Sequence, residues 1–240
     1  MIPDAMNPIR RSLLAVPLAL CIAAASMPVG AVSLDDLRDK EVAAALRQAL
    51  EIGAGKAVSR LGQENGFLGN EKLKIPLPDG LAKVEKGMRA VGMGKRADEL
   101  VTGLNRAAEQ AVPEARALLL NTVRTLTIDD AKKILTGPED SATQHFRAKT
   151  QDELTKRFLP IVANVTKRMK LADLYNKFAS RAVPFGLVRG EDANLDQYVA
   201  RKALDGLYTT LAEEEKTIRA NPLDTGKKLV QKVFGSMLPQ

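Results

Sequence analysis

Tryptophan is absent from this 240-residue chain, aromatic side chains make up 4% of it, and it holds one cysteine and one histidine. Each shortage removes a class of chemistry. Cys21 lies in an apolar N-terminal run, so the remainder has no disulfide and no thiolate ligand. His145 has no cysteine or second histidine to join it, and a zinc site would need carboxylates instead. Its nearest acids in sequence, Glu139 and Asp140, stand between Pro138 and Ser141 and suit a helix start. No segment alternates apolar and polar residues as a half-buried strand would. No stretch interleaves aromatics with arginines as single-strand binders do, so nucleic acid is not an expected partner.

What remains is helix-forming and basic. Hydrophobic residues are 45% and charged residues 27%, near the ordinary globular mix. Ala, Leu, Lys, Arg and Glu dominate, and all favour helix. The formal net charge of +7 and a sequence pI near 9.5 favour an acidic partner such as an anionic lipid or glycan. The expected fold is all-α: one bundle-like domain of roughly eight to ten helices, with no linker or internal repeat.

Residues 1–31 have the features of a cleaved export signal. Arg10 and Arg11 precede an apolar run over residues 13–25, and Val29-Gly30-Ala31 offers a cleavage site. The run is about 13 residues, well short of the ~20 that span a bilayer. Leu20 before Cys21 departs from the small residue of a lipoprotein box, so lipidation is not expected. The arginine pair fits general secretion better than twin-arginine export. The expected location of residues 32–240 is therefore the periplasm.

Ser33 with Asp36 opens the mature fold. Helical spacing of Leu37, Leu46, Leu50, Val58 and Leu61 follows, with Gly53 and Gly55 allowing two helices there. Residues 62–78 hold three glycines and two prolines and predict a loop, pinned to the core by Phe67 and Ile75. A helix follows over about residues 80–92. Gly92-Met93-Gly94-Lys95 is half a phosphate loop, but Arg89 occupies the required first glycine, so a turn is expected. One stripe then runs from Ala97 through Leu104, Ala108, Ala115 and Leu119 to Leu126 without losing phase at Pro113. This predicts one long helix kinked at the proline, on the order of 45 Å.

Three helix-start signals crowd the next segment: Thr127 with Asp130, Ser141 with Gln144, and Thr150 with Glu153. The first predicts a short helix stopped by Gly137-Pro138. The last predicts a helix bearing Leu154, Phe158, Ile161, Val162, Val165 and Met169, bent at Pro160. A short helix over 171–178 is broken at Pro184-Phe185-Gly186. Asn194 with Gln197 caps a long helix to about Ala220, and Asn221-Pro222 starts the last one.

Several of these strings carry a resemblance. They are Gly66-Phe67-Leu68 with Ile75-Pro76-Leu77-Pro78, and Leu104-Asn105-Arg106-Ala107-Ala108-Glu109 with Pro113. Asp130-Ala131, Ile134-Leu135-Thr136-Gly137, Ala142-Thr143, Phe146-Arg147, Phe158-Leu159-Pro160 and Tyr175-Asn176 continue it, with residues 192–196 and Lys202-Ala203-Leu204-Asp205-Gly206-Leu207. In these the chain resembles a bacterial family known as domain of unknown function 4197, over essentially the whole mature length. The resemblance implies an exported all-helical envelope protein and supplies no catalytic set or cofactor. His145 stands where that family would have an aromatic, which weakens any special role for it.

The polar motifs have structural uses. Asp129 and Asp130 suit the positive end of a helix dipole. Glu213-Glu214-Glu215 are consecutive, fan out around a helix, and suit a solvated face paired with Lys216 and Arg219. Asp192, Asn194 and Asp196 copy three calcium-loop positions, but Gln197 and Ala203 replace the required glycine and glutamate. Arg147 is the residue without an assigned structural role: it can clamp an anion, or bridge a carboxylate such as Asp130 or Glu153. The ligand-binding candidates are Arg147, Asp130, His145 and Thr143. The expected function is non-catalytic binding of an anionic envelope component or a protein partner, with no cofactor or metal. The alternatives are an enzyme with a cleft around Asp130 and Arg147, and a membrane-surface protein attached through its last helix.

Overall fold

The computed structural model describes residues 39–79, 85–86, 89–92, 94–168 and 194–235. The expected export signal, the expected Ser33 start, most of the expected 80–92 helix and the expected 171–178 helix with its proline break lie outside them. The described residues form α1 (Asp39–Leu61), α2 (Gly94–Ala111), a 3-10 turn (Val112–Glu114), α3 (Ala115–Arg124) and α4 (Ile128–Thr136). After these come α5 (Ser141–Arg168), α6 (Leu195–Ala220), a second 3-10 turn (Pro222–Thr225) and α7 (Lys228–Gly235). Among the described residues there is no strand, and there are fewer helices than the eight to ten expected.

Part of the shortfall is a misplaced boundary. Ser141 and Thr150 do not start separate helices; both lie in α5. The residues between them include neither glycine nor proline, so nothing breaks the chain there. Ala142, Phe146, Thr150, Leu154, Phe158, Val162 and Thr166 form one unbroken buried row at four-residue spacing. Thr150 belongs to that row and is wholly buried. Its hydroxyl donates to the Phe146 carbonyl (2.7 Å) and meets the Tyr208 hydroxyl (2.9 Å). A threonine has one hydroxyl hydrogen, so Tyr208 is the donor in that pair. Similarly, α1 is one helix despite its glycines. Gly53 packs on α6, where an added Cβ would be 3.5 Å from Ile218 Cδ1.

The expected Pro-kinked helix is three consecutive pieces, α2, the first 3-10 turn and α3. Ala111, Glu114 and Ala115 all keep right-handed helical backbone angles. Pro113 has no N–H to give and its ring crowds the preceding turn, so the chain tightens there without leaving the helix. The stripe keeps its phase: Ala97, Leu100, Leu104, Ala108, Ala111, Ala115, Leu119 and Thr122 are buried.

Short α4 follows its sequence signals. Thr127 Oγ1 accepts from the Asp130 N–H (3.0 Å) and Asp130 reaches back to the Thr127 N–H (3.2 Å), a reciprocal cap. Gly137 ends the helix with extended backbone (φ −87°, ψ −176°). Its glycine answers a close approach, since a Cβ would lie 2.8 Å from the Lys133 carbonyl and 2.3 Å from Ser141 Oγ.

α5 and α6 are antiparallel neighbours. Thr143 pairs with Glu215, Arg147 with Asp205 and Thr166 with Asp196, so partners descend α6 as they ascend α5. Asn194 caps α6 by accepting from the N–H groups of Asp196 (2.9 Å) and Gln197 (3.2 Å). Asn221 makes no side-chain cap for the turn that follows it. In α7, Val230, Val233 and Phe234 are buried in the common core. The apolar side of this helix is thus occupied by the protein itself. No helix among the described residues is long and apolar enough to cross a membrane.

Candidate functional site

Two clusters of buried polar groups hold the fold together, and neither stood out in the sequence. The first clamps the 62–78 loop to α2. Asn105 Oδ1 accepts from the Ile75 N–H (2.8 Å), and Nδ2 donates to the Ile75 (2.9 Å) and Val101 (2.8 Å) carbonyls. One turn on, Glu109 Oε1 accepts from the N–H groups of Phe67 (3.0 Å) and Leu68 (3.1 Å). Its other oxygen meets Arg106 (2.5 Å), which also holds Glu64 and Asn65 (2.9 Å each). An irregular loop cannot satisfy its own backbone when buried, and these side chains do so for it. Phe67 and Ile75 are buried, as their sequence context predicts, and the Phe67 ring lies on Gly206.

The second cluster closes the start of α5. Glu215, expected on a solvated face, is buried. It accepts from the N–H groups of Ala142 (3.0 Å) and Thr143 (2.9 Å) and from Thr143 Oγ1 (2.9 Å). A carboxylate from α6 therefore caps α5 in place of Ser141, whose hydroxyl instead donates to the Pro138 carbonyl (2.8 Å). Arg219 holds Glu215 through Nε (3.2 Å) and a terminal nitrogen (2.9 Å), and also donates to the Ile134 carbonyl (2.8 Å). The consecutive glutamates do fan out: Glu213 pairs with Arg60 and Lys216 with Glu139. Beside Glu215 lies an apolar cavity of only about 20 Å³, room for roughly one water.

The open site lies further along the same helix pair. Arg147, Gln151, Thr155 and Leu159 follow each other at four-residue spacing on α5, one position beyond its buried row. Gln197, Arg201 and Asp205 do the same on α6, with Leu204 beneath them. Together these side chains line a groove of about 290 Å³.

Arg147 is held but not consumed. Its guanidinium carbon is 4.5 Å above the centre of the Tyr208 ring, and one terminal nitrogen donates to Asp205 Oδ1 at 3.4 Å. Arg147 and Asp205 are both about half exposed, at 45% and 48%, so their ion pair contributes about 0–1 kcal/mol. Burial raises the Tyr208 phenol above its ordinary range, with the Arg147 charge opposing it. The ring is thus a fixed, neutral platform for the guanidinium. The carboxylate bridged is Asp205, and neither Asp130 nor Glu153; Glu153 pairs with Arg157.

The other sequence candidates have separate surroundings. Asp130 is lowered below the ordinary carboxylate range by hydrogen bonds from the Thr127 side chain and backbone. His145 is lowered by burial, opposed by the Asp130 charge and assisted by Lys149. Asp130 and His145 are therefore neighbours, but Asp130 lines neither of the two grooves that Arg147 lines. Thr143 is buried and spends both its N–H and its hydroxyl on Glu215. Among the described residues, no three His, Cys, Asp or Glu side chains group to hold a metal ion.

The described residues define an all-helical protein with a polar groove between two antiparallel helices. More particularly, the chain belongs to the family described as "Protein of unknown function (DUF4197)", whose family model matches residues 36–235. No curated protein and no solved structure matches the chain.

Proposed function

We propose that this is an exported, non-catalytic binding protein that takes an anionic group in the α5–α6 groove. The observation that carries the reading is the pairing of a groove lined by two guanidiniums and one carboxylate with an Arg147 already stacked on Tyr208. A guanidinium set in one plane loses less freedom when it binds a carboxylate or phosphate edge. The basic composition acts in the same direction, drawing anions to the surface. Export rests on Arg10-Arg11, the apolar run and Val29-Gly30-Ala31.

The test is calorimetric titration of residues 32–240 with inorganic phosphate and with N-acetylated trialanine, in low salt, beside Arg147→Ala. Binding of either anion, weakened about ten-fold or more in the variant, supports the reading. Equal affinity in both proteins, or no binding of either anion, overturns it. Export is tested by cell fractionation with and without residues 1–31, and cytoplasmic retention of the full chain would contradict it.

A further inference from the structure

Resting on the anion-binding reading above, we infer that the groove's ligand is the free carboxylate end of a peptide, with Arg147 taking the carboxylate and Gln151, Thr155 and Gln197 taking the peptide backbone. The case begins with charge. The charged side chains lining the groove are two arginines and one aspartate. A carboxylate brings one negative charge to Arg147, which stands beside Asp205. A phosphate near neutral pH brings between one and two, and it would sit beside Asp205, already 3.4 Å from the arginine that must receive it. Like charge at that separation penalises the dianion more than the monoanion.

Hydrogen-bonding capacity agrees. Gln151 and Gln197 each present a donor and an acceptor, the pair that every backbone amide also presents. Thr155 already spends its hydroxyl hydrogen on the Gln151 carbonyl (2.8 Å), so towards a ligand it can only accept. A peptide N–H is a donor it can use; a carboxylate oxygen is not. The Arg147 end of the α5 row therefore suits the carboxylate, and the row becomes amide-like and then apolar at Leu159. A peptide terminus has that same order: charged end, amide, side chain.

Dimensions allow it. Arg147 to Leu159 covers twelve residues of helix, about 18 Å at 1.5 Å per residue. An extended peptide advances about 3.3 Å per residue, so several residues fit along the row. The groove volume of about 290 Å³ stands at the lower end of small-ligand sites, which suits a chain end lying in a trough open to solvent.

The experiment titrates residues 32–240 with N-acetylated trialanine bearing a free carboxylate, with the same peptide ending in an amide, and with inorganic phosphate. The acid is expected to bind about ten-fold or more tighter than both others, and Gln151→Ala to weaken the acid further than phosphate. Gln151 is exposed, so this variant leaves the fold intact, which thermal denaturation checks. If phosphate binds as well as or better than the acid and Arg147→Ala still abolishes it, the groove takes anions but the peptide inference falls. If the amide matches the acid, the carboxylate assignment falls. If neither anion binds, both inferences fall together.

Discussion

Of the polar contacts that join α5 to α6, the two at Glu215 and Asp205, about three turns apart along α6, differ in every respect that matters. At Glu215 a carboxylate that is 6% exposed has two backbone N–H groups, a hydroxyl and an arginine fork around it. At Asp205 a carboxylate that is 48% exposed has one contact to Arg147 at 3.4 Å, beside an open groove. Both bring an acid and an arginine to the same helix interface. Burial converts the first into a structural joint, because a buried charge is tolerated only when its partners are complete. Exposure leaves the second with spare donors and almost no structural value. The place to look for binding is where polar groups are held but unfilled.

Removing the joint is expected to have the largest effect. Glu215→Ala strands two helix N–H groups and Arg219, and should cost about 3–5 kcal/mol of stability by chemical denaturation. A loss below 1 kcal/mol would mean the joint is worth no more than the exposed pair. Gly206→Ala comes next. Gly206 neighbours Asp205 on α6 but is buried, and an added Cβ would lie 2.5 Å from Phe67 Cε1. The ring and its loop must shift, at about 1–3 kcal/mol; an unchanged melting temperature would show that the loop gives way freely.

His145 offers a smaller, pH-dependent effect. Its folded pKa is lowered by burial, so the unfolded chain takes up the proton first on acidification. Stability is therefore complete above the ordinary histidine value of about 6.5 and declines as pH falls from there towards the folded value. His145→Phe should flatten that part of the pH–stability curve; a decline of equal slope would assign it to other groups. Asp130, whose pKa is lowered by Thr127, adds its own loss only at lower pH, from the ordinary carboxylate range downward. The smallest effect on stability belongs to Arg147→Ala, within about 1 kcal/mol of wild type. A loss comparable to that of Glu215→Ala would erase the distinction between the two contacts.

Much of the fold was legible in the sequence because it rests on local chemistry. The Thr127–Asp130 box, the Asn194 cap and the unbroken phase across Pro113 each need only near neighbours in the chain. The family was legible too, and several of the strings that carry the likeness meet in space: Asn105 holds Ile75, Glu109 holds Phe67 and Leu68, and Phe67 covers Gly206. What the sequence could not show was partnership at a distance. Ser141 and Thr150 have the residue types of helix starts, but the acceptor that caps α5 is 74 positions beyond Ser141, at Glu215. Thr150 owes its buried place to Tyr208, 58 residues away. Of the four ligand candidates, Arg147 alone lines the groove; its neighbours Gln151, Thr155 and Arg201 became visible only when α5 met α6. Their four-residue spacing along each helix was the available signal.

The most direct test of the groove is chemical-shift mapping of residues 32–240 with N-acetylated trialanine as the probe. The side-chain amides of Gln151 and Gln197 should move together and saturate, while the Ala142 and Thr143 amides at the Glu215 joint stay fixed. Shifts centred on Ala142 and Thr143, or none at either glutamine, would contradict the assignment of binding to the open contact.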